Sequence, residues 1–440
     1  MSGIGDRAKG SIQNELTILQ ESLRIEQSEL AALYYVTQLV NSSLDLDEVL
    51  NQVMDQIIRL TKAERAFLML KNDAGELEFK IARHIDRETV EGSSFNISRT
   101  IVQRVAEQGN PIVTTNAQED PRFRSQESVL SYSLRSILCV PLRVKEQITG
   151  VIYADNRLKA GIFGDRQRDL LTVFANQAAI SIENARLHAK EIQQQLINQE
   201  LETARGIQER FLPDKVPQHP EWDIAAFWHP ARNVAGDFYD FYALPDGRLA
   251  IAIADVSGKG VPAALFMALS VTVLRFAMGL NFSPGELMNQ ANQAILSSQQ
   301  SRMFATAFAC YLDLESSVMQ FASAGHNPPL LYRAATDQCE YLEVSGVAMG
   351  VFKEAQYAED VVTLGEGDVL ILFTDGITEA INEDQEEFEE GRLEKVVMQH
   401  ASRPAQELVD LIIEAVAAFA TEQGVFDDET LVVVKRQNST

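Results

Sequence analysis

The chain is poor in cysteine. It has three in 440 residues, Cys139, Cys310 and Cys339, an odd number without CxxC spacing. This pattern indicates neither a disulfide framework nor a thiolate zinc site, and it is typical of proteins from a reducing cytoplasm. Neither Cys310 nor Cys339 has the CxxxxxR context of a cysteine-dependent phosphatase.

Basic residues are also scarce, because 38 Lys and Arg face 63 Asp and Glu and leave a formal charge of -25. Such a charge repels phosphate backbones and anionic lipid headgroups, so neither nucleic acid nor a membrane is expected as a partner. Most of the acidic excess is typical of a solvated surface, although it also suits divalent cations. Charge alone locates no site.

No segment reads as a signal peptide or a membrane span. The N-terminus has no apolar core, and the most apolar run, PAALFMALSVTVLRFAMGL from Pro262, contains Arg275. This run predicts a buried helix. Long Pro, Gly or Ser tracts are absent as well, so most of the chain is expected to fold, in two or three domains, and to be cytoplasmic.

The first half predicts an α+β domain. Residues 12–43 have the apolar spacing of an amphipathic helix, and LDLDEVLNQVMDQIIRLTKA predicts a second one. From Arg65 the apolar residues alternate or form short runs, which predicts strands of one antiparallel sheet: RAFLML, LEFKIARHI, PIVTT, SILCVPLRV and ITGVIYADN.

A long helix is predicted from about Gly164 to Phe211, where Pro213 and Pro217 end it. Its length exceeds what one small core covers, so we interpret it as a connector. Apolar positions spaced 3, 4, 3 and 4 predict a heptad seam in a parallel homodimer, with an amphipathic helix packed on its own chain as the alternative. The seam comprises Ile182, Ala185, Ala189, Ile192 and Leu196.

Beyond the connector, strand patterns alternate with helix patterns. Three strands come first, followed by the helix from Pro262 and a second helix at about 284–297. Further strands come next, then two helices near 390–400 and 404–421, and finally a last strand, ETLVVVKR. We interpret this order as two antiparallel sheets packed together with helices outside, a layered α/β (α-β-β-α) sandwich.

Four acidic positions in this half lie at the ends of apolar strands. A lone Asp beside Gly is usually a solvated turn or helix cap. Several such strand ends that converge would instead form a cage of oxygens suited to Mg²⁺ or Mn²⁺. The residues alone leave open whether they meet. They are Asp237 in AGDFYD, Asp255 in IADVSGKG, Asp375 in LFTDGI and Asp427 or Asp428 in FDDETLVVV.

Residues 206–430 resemble the metal-dependent (PPM) protein phosphatases, in the branch typified by the stage II sporulation phosphatase and RsbU. The resemblance covers about half of the chain and rests on motifs that occur in the family's order. They are ARGIQERFLP (204–213), NVAGDFYDFY (233–242), AIADVSGKGVPAALFMA (252–268), ATAFACYLD (305–313), SAGHNPPLLYR (323–333), LFTDGITEA (372–380) and FDDETLVVV (426–434).

The resemblance implies a serine/threonine phosphoprotein phosphatase with two Mn²⁺ or Mg²⁺ ions and no covalent phosphoenzyme. It implies as metal ligands, and as the catalytic set, Asp237, Asp255, the Val256 carbonyl, Asp375 and Asp427. Asp255 is the expected bridging carboxylate. Asp427 is preferred to its neighbour Asp428, and Asp240 is interpreted as structural or as a support for the ligands.

Residues 31–186 resemble a GAF domain, on the helix that opens with DLDEVL, the hairpin SILCVPLRVKEQITGVIYADN and the closing helix FGDRQRDLLTVFANQAAISIENARL. A small molecule or protein is a possible ligand of this domain, and Cys139 is interpreted as a packed core residue. The predicted divisions are an N-terminal helix at 1–30, the GAF domain at 31–180, a helical linker at 181–212 and the phosphatase at 213–440.

The family resemblance also implies a substrate, a phosphorylated STAS-type anti-sigma-factor antagonist, in a bacterial partner-switching pathway. A GAF ligand would act by favouring one packing of the connector, with a hinge near Arg210–Pro217. The alternatives are a signalling scaffold without turnover, and a metal-dependent nucleotide phosphodiesterase or cyclase, although no Walker-type loop or HD pair is present.

Three further residues near the motifs carry open interpretations. His229 and His326 are each expected to be structural, with proton donation to the leaving group as the minority interpretation for them. Lys259 in SGKGVPAAL either meets an anion at the start of the following helix or is a solvated loop lysine.

Overall fold

The structure, a computed structural model, describes residues 43–84, 97–124, 129, 132–280, 282–298, 303–420 and 427–438. The predicted N-terminal helix, and the division at residues 1–30, therefore lie outside the described residues. The chain divides into two compact units, Met1–Gln195 and Leu196–Thr440. Each unit has its own apolar core, as expected for chains of this length.

The first unit is built around one antiparallel sheet, as predicted, and its strand order is β2-β1-β5-β4-β3. Its successive elements are α1 (Leu46–Thr61), β1 (Arg65–Lys71), β2 (Leu77–His84), α2 (Arg99–Gln108), β3 (Ile112–Thr114), β4 (Ser136–Val144), β5 (Gln147–Asn156) and α3 (Asp165–Gln208). The Asp45 side chain caps α1 by accepting a hydrogen bond from the Glu48 N–H at 2.9 Å.

Helices cover both faces of this sheet, which explains why β1 and β4 are almost wholly apolar. Along β1, Leu68 packs with α1 and α3 on one face, whereas Phe67 packs with α2 on the other, because successive side chains of a strand point to opposite faces. Cys139 is fully buried on the α2 face, where it is a packed core residue as interpreted from the sequence.

The predicted connector is α3, a helix of 44 residues that is followed by a 3₁₀ turn at Glu209–Phe211. Ile182 and Ala185 are buried in the core of the first unit, so at these two positions the alternative of a helix packed on its own chain is correct. Ala189, Ile192 and Leu196 are exposed, and a dimer seam at these three stays a prediction.

The second unit is a four-layer sandwich, as predicted. Its strands form two antiparallel sheets with orders β13-β10-β9-β8-β7 and β12-β11-β14-β15-β6. They are β6 (Trp222–His229), β7 (Phe238–Ala243), β8 (Leu249–Val256), β9 (Ala305–Leu312), β10 (Val318–Ser323), β11 (Leu330–Arg333), β12 (Gln338–Tyr341), β13 (Glu359–Thr363), β14 (Val369–Phe373) and β15 (Glu429–Arg436). Its helices are α4 (Val261–Met278), α5 (Pro284–Ser298), α6 (Asp375–Thr378), α7 (Glu389–His400) and α8 (Ala405–Phe419).

Side-chain size along β8 shows how the layers are assembled. Its small residues, such as Ala252, pack against α4 and α5, whereas Ile251 and Ile253 point into the space between the two sheets. On the other side, β14 and β15 pack against α7 and α8. The sheets therefore meet through large aliphatic and aromatic side chains.

Two strands were not predicted from the sequence patterns. Both β12 and β13 are edge strands with few apolar residues, QCEY and EDVVT, and most of their positions are partly or fully exposed. Edge strands need only one paired side and tolerate polar side chains, so they carry little hydrophobic signal.

Helix α4 is long and apolar enough to cross a membrane, and it is the one such helix among the described residues. Half of that stretch is buried within the chain, where it contacts β7, β8 and α5. Its Arg275 donates to Asp240 on β7 at 2.7 Å and to the Phe211 carbonyl at 2.7 Å. In this structure α4 is a core helix, as predicted from Arg275.

Candidate active site

The predicted acidic residues lie at the ends of neighbouring strands. Asp255 is the penultimate residue of β8, and Asp237 directly precedes the adjacent β7. In the other sheet, Asp375 begins α6 just after β14, and Asp427 and Asp428 directly precede the adjacent β15. Both sheets thus contribute carboxylates at the ends of two adjacent strands.

Asp237 and Asp255 share a side-chain hydrogen bond in the interior. Burial, and next the Asp255 charge, raise the pKa of Asp237 well above its usual range. Burial, and next the charge of Asp375, raise the pKa of Asp255 to about 6. Two carboxylates held this close in a poorly solvated site disfavour each other's ionisation. The pair therefore concentrates negative charge that a cation would neutralise.

Asp375 belongs to the same electrostatic cluster. Burial, and after it the charge of Asp427, raise the pKa of Asp375, while the Lys259 ammonium opposes this rise. Lys259 contacts Asp427 directly, with 2.8 Å from Nζ to Oδ2. The structure thus brings together every carboxylate that the sequence proposed, and it adds a lysine to the cluster.

Asp428 differs from Asp427 in its partners. Its Oδ1 accepts from the Ala231 N–H at 2.8 Å and its Oδ2 from the Gly236 N–H at 2.7 Å. Both oxygens therefore hold the loop that leads to Asp237. Asp427 Oδ1 accepts from the Asp428 N–H at 2.9 Å and its Oδ2 faces Lys259.

Two glycines of the motifs are explained by close backbone approach. A Cβ added at Gly236 would lie 3.0 Å from the Val256 carbonyl oxygen, which places this carbonyl against the residue before Asp237. A Cβ added at Gly376 would lie 2.1 Å from the Asp428 carbonyl oxygen, so no larger residue fits after Asp375 without a shift. Glycine permits such approaches because it has no side chain.

Several supporting residues were not singled out from the sequence. Thr430 Oγ1 donates to Asp237 Oδ2 at 3.0 Å, and Trp228 Nε1 donates to the Asp237 carbonyl at 2.9 Å. The buried Gln208 amide donates to the Ala235 carbonyl at 2.9 Å. The signal for Gln208 and Thr430 was that both lie within the quoted motifs. Nothing in the local pattern of Trp228 indicated its contact.

The other residues considered from the sequence lie around the cluster. Asp240 is paired with Arg275, which agrees with a structural role. His326 is buried, its Nδ1 is 2.9 Å from Thr306 Oγ1, and burial lowers its pKa to about 4. It is therefore neutral at neutral pH. His229 is exposed at the end of β6.

The donor set fits a hard divalent cation in its chemistry. It consists of carboxylate oxygens and one backbone carbonyl, the donors that Mg²⁺ and Mn²⁺ prefer. Within the described ranges, no three His, Cys, Asp or Glu side chains form a ready-made coordinating group. Asp237 instead hydrogen-bonds Asp255, and Asp427 pairs with Lys259.

Comparisons with known proteins find relatives for both halves of the chain. The family model of stage II sporulation protein E (SpoIIE) matches residues 245–437, and the GAF-domain model matches residues 45–182. Protein IcfG of Synechocystis sp. is 30% identical over 277 residues, which cover 57% of this chain and 43% of IcfG. The solved SiaA-PP2C domain of Pseudomonas aeruginosa aligns with a TM-score of 0.49 and 24% identity, over 56% of this chain and 98% of that domain.

A further relative decides the family. Phosphoserine phosphatase RsbU of Bacillus subtilis is 32% identical over 244 residues, which cover 56% of this chain and 72% of RsbU. The chain therefore belongs to the SpoIIE/RsbU family of protein serine/threonine phosphatases, with a GAF domain in its N-terminal half.

Proposed function

We propose that the carboxylate cluster is the catalytic centre and that it hydrolyses phosphoserine or phosphothreonine with two divalent metal ions. The proposed ligands are Asp237, Asp255, the Val256 carbonyl, Asp375 and Asp427, with Asp255 as the bridging carboxylate. The observation that carries this proposal is the convergence of buried and half-buried, mutually repelling carboxylates from neighbouring strand ends of both sheets.

Phosphatases of this family are metal-dependent, and the proposed ions are Mn²⁺ or Mg²⁺. When bound, such ions supply an activated water and neutralise charge on the phosphoryl group. The hydrogen bonds of Asp428 to Ala231 and Gly236 favour Asp427 as the ligand, because they leave Asp428 the role of holding the loop. Thr430 orients Asp237 by its hydrogen bond to Oδ2.

The proposed substrate is a phosphorylated STAS-type anti-sigma-factor antagonist in a partner-switching pathway of the bacterial cytoplasm. Similarity to RsbU, whose name records a phosphoserine phosphatase, supports the phosphoserine part of this proposal. A scaffold that binds such a partner without turnover is the alternative. The presence of every expected acidic residue in one cluster favours the enzyme.

We further propose that the GAF domain (31–180) binds a small-molecule or protein ligand and that the linker (181–212) transmits the signal to the phosphatase (213–440). Linker residues 181–208 lie in α3, and residues 209–211 form the 3₁₀ turn. The hinge is proposed near Arg210–Pro217, and a homodimer is proposed through the exposed part of the seam. A ligand acts only if it binds the two states with different affinity.

The deciding experiment measures Mn²⁺-dependent phosphate release by the full chain from p-nitrophenyl phosphate and from a phosphoserine STAS protein. Asp255→Asn and Asp375→Asn should each lower kcat/KM by about a thousandfold, since each removes an anionic ligand at a site where metal ions contribute several kcal/mol. Asp384→Asn, at an exposed position of the same unit, is the matched control and should retain activity.

The experiment distinguishes the enzyme from the scaffold without turnover. Turnover that both ligand variants abolish and the control retains would establish the phosphatase and its site. Binding of the phosphorylated STAS protein by the wild type, without release of phosphate from either substrate, would overturn the enzyme and favour the scaffold.

A further inference from the structure

Lys259 lies in a short loop, residues 257–260, that joins β8 to α4. The loop is anchored at Ser257, whose N–H donates to the Phe304 carbonyl at 2.9 Å and whose Oγ accepts from the Phe304 N–H at 2.9 Å. Gly258 and Gly260 flank Lys259 with φ of +90° and +79°. Such φ values favour glycine, so the sequence SGKG is suited to this backbone path.

The side chain of Lys259 faces the carboxylate cluster. Its Nζ is 2.8 Å from Asp427 Oδ2, and the two side chains are 42% and 36% exposed. Its charge also acts on Asp375 and on Glu379, in each case against the effect of burial on that group's pKa. An anion that approaches the cluster from solvent therefore meets this ammonium group.

A phosphomonoester brings negative charge to a site that already holds five carboxylates. Lysine presents a compact ammonium on a flexible stem and is a common phosphate-binding residue. The oxygen of Asp427 offers Lys259 the same kind of partner as a phosphoryl oxygen would, an anionic acceptor at hydrogen-bonding distance. A partly solvated ion pair is weak, so exchange between the two acceptors is easy.

We infer that Lys259 binds the phosphoryl group of the substrate, and the phosphate released from it, by exchanging its contact with Asp427 for phosphoryl oxygens. This inference rests on the proposed function. It assigns Lys259 a role in substrate binding, whereas a lysine that only neutralised Asp427 would affect the metal ions and leave phosphate binding unchanged.

The test compares the full-length wild type with Lys259→Gln, Lys259→Arg and the control Lys353→Gln, which removes an exposed lysine of the same unit. Binding of radiolabelled inorganic phosphate is measured by equilibrium dialysis at saturating Mg²⁺. Mn²⁺ affinity is measured by calorimetry, and KM and kcat are measured with a phosphoserine peptide.

Lys259→Gln should raise the dissociation constant of phosphate, and KM, by about tenfold, the effect of losing one charged hydrogen bond, with a smaller change in kcat. Lys259→Arg should recover most of this loss, and Lys353→Gln should match the wild type. A phosphate dissociation constant for Lys259→Gln within about twofold of the wild type would overturn the inference, most clearly if Mn²⁺ affinity alone had changed.

Failure of the proposed function would look different. If the wild type released no phosphate from the peptide, the phosphatase proposal would fall. The dialysis measurement would still decide whether Lys259 holds phosphate, because it needs no turnover.

Discussion

The charged pairs of the first unit and the carboxylate cluster of the second unit are buried in opposite ways. In the described part of the first unit, buried charged groups occur as pairs of opposite sign, such as Arg65 with Asp155 at 2.6 Å and Arg157 with Glu64 at 2.6 Å. In the second unit, Asp237, Asp255 and Asp375 are gathered with like charges, and the cluster's direct cationic contact is the partly exposed Lys259.

The difference indicates that the ion pairs of the first unit stabilise the fold, whereas the carboxylate cluster serves a function. A paired buried charge is compensated within the fold, and removing one partner leaves the other uncompensated. A cluster of like charges destabilises the fold, so it is expected where a bound ligand compensates the charge. For this reason perturbed pKa values are frequent at functional sites. This contrast predicts opposite effects on stability when one charge is removed from an ion pair of the first unit and one from the carboxylate cluster of the second.

The largest effect on stability is expected in the first unit. Arg65→Met should lower the free energy of unfolding by about 3–5 kcal/mol, because Asp155 is fully buried and would lose its partner. Chemical denaturation followed by circular dichroism measures this change. Arg186→Met is the matched control, since its pair with Asp73 is largely exposed and should matter by less than about 1 kcal/mol. Equal effects of the two changes would contradict the contrast.

A smaller effect concerns His326 and pH. Its pKa is about 4 in the fold, below the 6.5 of a free histidine, because burial disfavours the charged ring. The unfolded chain therefore binds the proton more readily, and stability should fall as pH decreases from about 6.5 to 4, by about 3 kcal/mol in all. His326→Asn should lack this part of the pH dependence. Fluorescence of Trp222 and Trp228, the chain's two tryptophans, reports unfolding of the second unit. Identical pH profiles for both proteins would contradict the prediction.

The smallest expected effect is an increase in the stability of the second unit. Asp255→Asn should raise the free energy of unfolding of the second unit by about 1–2 kcal/mol at pH 8 in EDTA, because the amide carries no charge to repel Asp375 and can still hydrogen-bond Asp237. The same tryptophan fluorescence measures it, and Asp384→Asn should leave it unchanged. A loss of stability in Asp255→Asn would show that the cluster is compensated within the fold.

Sequence patterns predicted most elements of both units because buried strands and helices leave strong apolar periodicities. They also located the acidic residues at strand ends. They missed the partners of these residues: Asp428 holds Ala231 and Gly236 from nearly two hundred residues away. Such contacts depend on which strand ends are adjacent, and local periodicity does not predict the order of strands in a sheet.

The connector shows the same limit. A heptad spacing describes both a dimer seam and a helix packed on its own sheet, since either buries one face of a helix. The structure assigns Ile182 and Ala185 to the first unit's core and leaves Ile192 and Leu196 exposed.

By itself, the sequence determined the layered fold class, the carboxylate-rich strand ends and the family, because these depend on residue type and local order. Only the tertiary structure decided which carboxylates lie near one another, that Asp428 holds a loop while Asp427 faces Lys259, and that Gly236 and Gly376 make room for carbonyl groups. The physical reason is distance: hydrogen bonds, ion pairs and steric contacts act over a few ångströms of space, and folding sets that proximity between segments far apart in the chain.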